Sequence, residues 1–271
     1  VQLWKYSCAT TRSSAARPAG SGPGPLRAGG AGLGEPFPRR CQPLYMRNPV
    51  MVVDSALLLP LLHWPTLLLY AMALVYALRL APWRRFQAAG LIHVFLGSVL
   101  VLVLLWHARV LVQPGLIFHL LGLTAVTLMF GWSLAVIGAS LALVGVTLNA
   151  GGGWDSFAVN ALIGGVIPIT LTQILLVLIR TYLPRHFFVF VLVNGFLTGG
   201  FVGIATGYLA TGLLVAGGTY SYAQLEQTFL PFFPLMFLPE AIVNGWALVV
   251  LVAFRPQWVY SFSDEQYLHG K

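Results

Sequence analysis

Apolar runs of about twenty residues, divided by short polar or glycine-rich breaks, make up most of the chain. A helix needs roughly 20 apolar residues, within about 17–25, to cross the hydrocarbon core of a bilayer. The first run, Ser55 to Leu78, stops at Arg79. Ala81-Pro-Trp-Arg-Arg85 follows as an interfacial turn with an aromatic anchor. The second, Ala88 to Trp106, ends at His107 and Arg109, and Gln113-Pro114-Gly115 breaks the chain. Leu116 to Leu148 is too long for one helix, and Gly131-Trp132 divides it into two short spans. A glycine loop, Asn149-Ala-Gly-Gly-Gly-Trp-Asp155, leads to a fifth run, Phe157–Ile179. The sixth covers Phe187 to about Leu209 and the seventh about Phe229–Phe254, before Arg255-Pro256. The pattern predicts an all-α polytopic membrane protein with about seven transmembrane helices.

Composition agrees. Hydrophobic residues make up 58% of the 271 and charged residues only 8%, against about 25% charged in a soluble domain. Such a chain cannot cover a water-facing exterior, and the lipid bilayer is its implied partner.

Charge tests the count. With seven spans, Arg79, Arg84, Arg85, Arg180, Arg185, Arg255 and Lys271 share one side and only Arg109 lies on the other. The positive side faces the cytoplasm, so the C-terminus is cytoplasmic and the N-terminus outside. If Leu116–Leu148 were one span, the bias would vanish.

Much of the net charge of +8 lies in residues 1–50, which carry seven Lys or Arg against Glu35 alone. This basic Gly/Pro/Arg-rich tail has too little apolar surface to fold and reads as disordered. Its Arg-rich, acid-poor composition also suits a transit peptide. Met46 and Met51 stand directly before the hydrophobic body, so the working protein is expected to start at one of them, with the tail over-extended or dispensable and residues 51–271 a single transmembrane domain. Both cysteines, Cys8 and Cys41, lie in the tail, so the body has no thiolate metal site. No basic cluster interleaved with aromatics occurs in the body, which argues against nucleic-acid binding. Walker A, HExxH and GxSxG motifs are missing, and no carboxylate pair suggests acid–base chemistry, so an enzyme is not expected.

A few polar residues interrupt the apolar runs. His119 lies about one turn inside the outer end of the third span, and an ionisable residue there is a functional candidate. Imidazole is also a common ligand for late first-row metals. His63 and His107 fall near the outer ends of the first two spans. Asp155 sits in the glycine loop and Asn160 begins the fifth span, so these polar groups gather toward the outer leaflet. Glu240 lies within the seventh span, one turn from Asn244. A carboxylate at the centre of a lipid-embedded helix costs at least about 2.5 kcal/mol, so Glu240 is expected to face the bundle interior or a partner, to cap, to pack or to contact substrate. Gly195, Gly199, Gly203 and Gly207 leave one face of the sixth span as bare backbone, a small-residue stripe for close helix packing within the bundle or across a subunit interface.

Phe118-His-Leu-Leu-Gly122, Leu128-Met-Phe-Gly-Trp132, Gly151-Gly-Gly-Trp-Asp155 leading to Asn160, and Leu183-Pro-Arg-His-Phe-Phe188 resemble the cobalt/nickel energy-coupling-factor permease family (CbiM-like), in its divergent branch. The resemblance covers about Ser55–Leu268. It implies a substrate-capture component in the inner (plasma) membrane, partnered by a coupling transmembrane subunit and ATPase subunits. The cargo it implies is nickel or cobalt, with copper a further candidate, and no cofactor is permanently bound. Family members hold metal with the N-terminal amine, a histidine at the second position and a histidine in a Gly-His-Leu-Leu-Gly stretch. Only the last maps here, onto His119, with Phe118 in place of the glycine. Met46 is followed by Arg47 and Met51 by Val52, so His63 or His107 would have to substitute. Two alternatives stand beside metal capture: a membrane scaffold or assembly factor that kept the fold and lost the site, and a carrier of a small organic molecule.

Overall fold

The computed structural model describes residues 60–84, 90–113, 116–150, 153–218, 221–228, 230–263 and 267. The basic tail, Met46, Met51, Arg85, Pro114, Gly115 and Lys271 lie outside them, as does the side chain of His63.

Among the described residues, and apart from short 3₁₀ turns, eight helices follow in order: α1 (Pro60–Leu80), α2 (Ile92–His107), α3 (Leu123–Phe130), α4 (Trp132–Ala150), α5 (Trp154–Tyr182), α6 (Val189–Ala216), α7 (Tyr222–Thr228) and α8 (Phe233–Phe254). The helix α4, the helix α5, the helix α6 and the segment Leu230–Phe254 are each long and apolar enough to cross a membrane, and Trp64–Leu80 and Ile92–His107 are shorter apolar helices. α2 makes the solvent logic visible. Phe95, Leu102 and Trp106 are buried while Leu96, Leu100 and Leu104 form an exposed apolar stripe at four-residue spacing. An exterior of this kind is stable against lipid and not against water. The molecule is an all-α polytopic membrane protein, and among the described residues one small hairpin is the exception.

That hairpin corrects the third predicted span. Leu116–His119 is not helical. It forms a strand, β2, antiparallel to β1 (Arg109–Gln113), with Arg109 opposite His119 and Val110 opposite Phe118. Helix starts only at Leu123, after Gly122 in the left-handed region at φ 65°. Leu, Ile, Val and Phe fit strand and helix alike in so short a run, so periodicity does not separate the two. The resulting α3 has eight residues. At about 1.5 Å rise per residue it is about 12 Å long, less than half a membrane. Every one of its residues is buried, so it runs inside the bundle and not against lipid. The predicted break does occur, at Gly131, φ 81°.

Contacts fix the relative directions. Gly138 packs on Phe95 and Gly145 on Val103, and Asn149 reaches His107, so α2 and α4 run parallel. α3 runs back between them, from Gly122 beside Leu105 to Phe130 beside Phe95. The hairpin plus α3 therefore takes the place of the third crossing.

α6 lies antiparallel on α8 through the glycine stripe. A Cβ on Gly195 would lie 3.1 Å from Leu248, on Gly199 2.9 Å from Asn244, on Gly203 2.9 Å from Glu240 and on Gly207 3.1 Å from Phe233. Without side chains in the way, the two backbones approach closely along four turns, as small residues allow in lipid. α5 and α6 each include a π-helical stretch, Leu162–Val166 and Val189–Leu197.

Candidate functional site

The chain around His119 is held by groups that come from α2 and α8. A helix leaves its first N–H groups without intrahelical acceptors, and its last carbonyls without donors. In a membrane interior each such group costs several kcal/mol if nothing meets it. α3 has no side-chain cap of its own. α8 supplies partners for three N–H groups here, those of Leu121, Gly122 and Ala125.

Glu240 places one carboxylate oxygen, Oε2, 2.8 Å from the Leu121 N–H and the other, Oε1, 2.8 Å from the Gly122 N–H. Asn244, one turn along α8, accepts from the Ala125 N–H through Oδ1 at 2.8 Å. Its Nδ2 donates to Glu240 Oε1 and to the Glu240 carbonyl, both at 2.8 Å. Glu240 is 2% exposed and Asn244 0%. A carboxylate buried this way is compensated by three charge-assisted hydrogen bonds and by the positive end of the α3 dipole. The glycine stripe explains how it arrives there: Gly203 and Gly199 face Glu240 and Asn244, and larger residues would push α8 away.

α3 is capped at its other end by the segment that follows α8. Leu128 O accepts from the Ser261 N–H at 3.1 Å and from its Oγ at 2.7 Å, and Met129 O accepts from the Tyr260 N–H at 2.9 Å. Arg180 secures that segment by donating to the Ser261 carbonyl and, at 3.3 Å, to the Tyr267 hydroxyl.

His119 sits two residues before the Glu240 clamp. It is 7% exposed, with its ring centroid 6.1 Å from that of Trp106. Trp106 Nε1 donates to the Leu121 carbonyl at 3.1 Å, so Leu121 is held at both its N–H and its C=O. His119 Nδ1 lies 3.2 Å from the Leu120 carbonyl. A carbonyl only accepts, so Nδ1 is the donor in this contact. An N–H given to a backbone carbonyl is the usual way a ligating imidazole has its tautomer fixed.

His107, Asp155 and Asn160 take no part in this hydrogen-bonded arrangement. His107 is exposed, donates through Nδ1 to the Val103 carbonyl at 2.7 Å and accepts through Nε2 from Asn149 Nδ2 at 2.7 Å, so both ring nitrogens are engaged. Asp155 is exposed in a 3₁₀ turn, Trp154–Ser156. Asn160 is buried and donates to the Ser156 carbonyl at 2.9 Å, a bond within its own helix. Among the described residues no three or more His, Cys, Asp or Glu side chains come together in a way that could hold a metal ion. Trp106 and Asn149 were not singled out from sequence. Only the adjacency of Trp106 to His107 marked the first, and nothing marked the second.

Compared with known families, residues 53–258 match CbiM, described as the cobalt uptake substrate-specific transmembrane region. No curated protein and no solved structure matches the chain. That family consists of membrane-embedded transporter components and not of enzymes, and its members act together with other transporter subunits. Since the match runs from the residues before α1 to the turn after α8, the chain belongs to the CbiM family, the substrate-specific transmembrane components of cobalt uptake.

Proposed function

We propose that this protein is the substrate-capture component of an energy-coupling-factor transporter in the inner (plasma) membrane, taking a transition-metal ion from outside. The family match over residues 53–258 carries this reading. Cobalt is the first candidate cargo, nickel the second and copper the third. The chain has no nucleotide-binding motif, so ATPase subunits and a coupling membrane subunit supply the energy.

His119 is the residue assigned to the ion. It matches the histidine of the family's Gly-His-Leu-Leu-Gly stretch, and a neutral imidazole whose Nδ1 donates to the Leu120 carbonyl would present Nε2 to the ion. His63 and His107 are the other candidate nitrogens. His107 contributes only after releasing Asn149. Asn160 is tied to the Ser156 carbonyl of its own helix, Asp155 stands exposed in its turn, and Glu240 is engaged by the backbone of Leu121 and Gly122.

Isothermal titration of the purified protein with Co²⁺, Ni²⁺ and Cu²⁺ tests this. The expected result is binding far tighter than about 1 mM, equivalent to a free energy well below about −4.1 kcal/mol. His119→Ala is expected to weaken it by more than the roughly 10–100-fold that loss of a supporting residue costs. Absence of binding to all three ions, with the protein correctly inserted, would favour a scaffold that retains the fold without the site.

A further inference from the structure

We propose that Glu240 and Asn244 are positioning residues for the metal site, setting the location of His119 by clamping the peptide groups that follow it. The inference rests on the reading of His119 as a ligand.

A carboxylate is not needed merely to cap a buried helix. Asn244 caps Ala125 with a neutral amide and brings no charge into the bundle. What a carboxylate offers, and an amide does not, is two acceptor oxygens and no donor. Here the two oxygens meet two successive N–H groups, those of Leu121 and Gly122. Trp106, from α2, holds the Leu121 carbonyl. The peptide planes on both sides of Leu121 are therefore fixed, and His119 is attached through a single intervening residue.

Gly122 stands where the chain turns from strand into helix, at φ 65°, the place at which backbone direction is most easily altered. The clamp acts on that turn. Asn244 completes it by bonding Glu240 Oε1, so the carboxylate has one orientation. Gly199 and Gly203 bring both side chains within reach. On the far side of the turn the hairpin pairs His119 with Arg109, so the histidine is located between two fixed backbones.

The experiment uses the full chain in detergent, with Co²⁺ alone as ligand, read by titration and by the visible d–d absorption of the bound ion. Glu240→Gln keeps the volume of the side chain but sets an NH₂ group against one of the two N–H donors. Expected is an affinity about 10–100-fold weaker, as for other residues that support a ligand, with a changed cobalt spectrum. Thr172→Val is the control. Thr172 also bonds α3, through Thr124 at 3.2 Å, but acts away from the His119 turn. It is expected to lower thermal stability and to leave affinity and spectrum unchanged.

A folded Glu240→Gln protein with wild-type affinity and spectrum would overturn the proposal. If that variant does not fold, Asn244→Ala decides, with weaker binding expected and unchanged binding overturning it. A wild-type protein that binds neither Co²⁺ nor Ni²⁺ would overturn the capture function itself, and the positioning role with it. That outcome is recognised in the wild type, before any variant is compared.

Discussion

At the scale of single residues, Gly122 carries the sharpest constraint. Its φ of 65° lies where an L side chain is strained, and a Cβ there would sit 2.7 Å from Leu105 Cδ2. The left-handed conformation alone costs about 1–2 kcal/mol for a residue with a Cβ. Leu105 is the end of a flexible side chain, so the contact can be relieved in part, but the backbone cost remains. Gly122→Ala is therefore expected to lower stability by at least about 1 kcal/mol, measured as thermal unfolding in detergent. An unchanged midpoint would mean the turn adopts another conformation. Gly203 presents the opposite case, with an ordinary helical backbone and no space. A Cβ would lie 2.9 Å from Glu240 Cγ, and Gly203→Val must separate α6 from α8 or displace the carboxylate. Overpacking of this kind costs typically about 1–3 kcal/mol, and the loss in thermal stability is expected to exceed that of Gly212→Val. Nothing lies within 4 Å of a Cβ at Gly212.

At the scale of elements, α3 is the unusual piece. An eight-residue helix is too short to be stable alone, and α8 with its following segment completes it at both ends. The two caps differ in what their removal exposes. Ser261→Ala deletes the Oγ bond to Leu128 O but keeps the backbone N–H bond to the same carbonyl. Its expected cost is that of one ordinary hydrogen bond, about 0.5–1.5 kcal/mol. Glu240→Leu leaves the N–H groups of Leu121 and Gly122 unmet in the interior, each worth about 1–3 kcal/mol. The second variant should unfold well below the first, and equal midpoints would show that water or another side chain replaces the carboxylate.

How much of this was legible beforehand differs by element. The long apolar runs announced six helices, and Gly131 announced a break, because a span has a required length and glycine a special backbone. The four-residue glycine spacing marked a packing face, and the spacing of Glu240 and Asn244 placed both on one side of α8. Three things were not legible. The hairpin is built from Leu, Ile, Val and Phe, which suit strand and helix equally. The half-helix looked like the first part of a span because apolarity reports burial and not whether lipid or protein does the burying. The clamp joins residues nearly 120 positions apart, Leu121 and Glu240, and no local pattern encodes such a pairing.

At the scale of the whole molecule, the question is which end faces out. The chain reversals sort into two groups. Pro82, Leu91, Phe130, Leu134, Gln257 and Tyr260, from the turns beside α1, α2, α3, α4 and α8, line one common recess. Arg180 bonds Ser261 beside it, and Arg255 lies over the Trp258 ring at 5.7 Å. His107 and Asn149 meet at the other end, next to the hairpin and the turn that holds Asp155. The bundle thus brings arginines of distant sequence to one end, which the bias of basic loops predicts to be the cytoplasmic one. Capture from outside requires that assignment, since it puts His119 nearer the external surface. Single cysteines introduced at the exposed positions Asp155 and Arg185, in a chain with Cys8 and Cys41 changed to serine, give a direct reading. Asp155→Cys is expected to react with a membrane-impermeant maleimide on intact cells, and Arg185→Cys only after permeabilisation. The reverse pattern would place His119 toward the cytoplasm, where a histidine beside the hairpin could release an ion but not collect one from outside, and the capture reading would fall even if cobalt bound tightly.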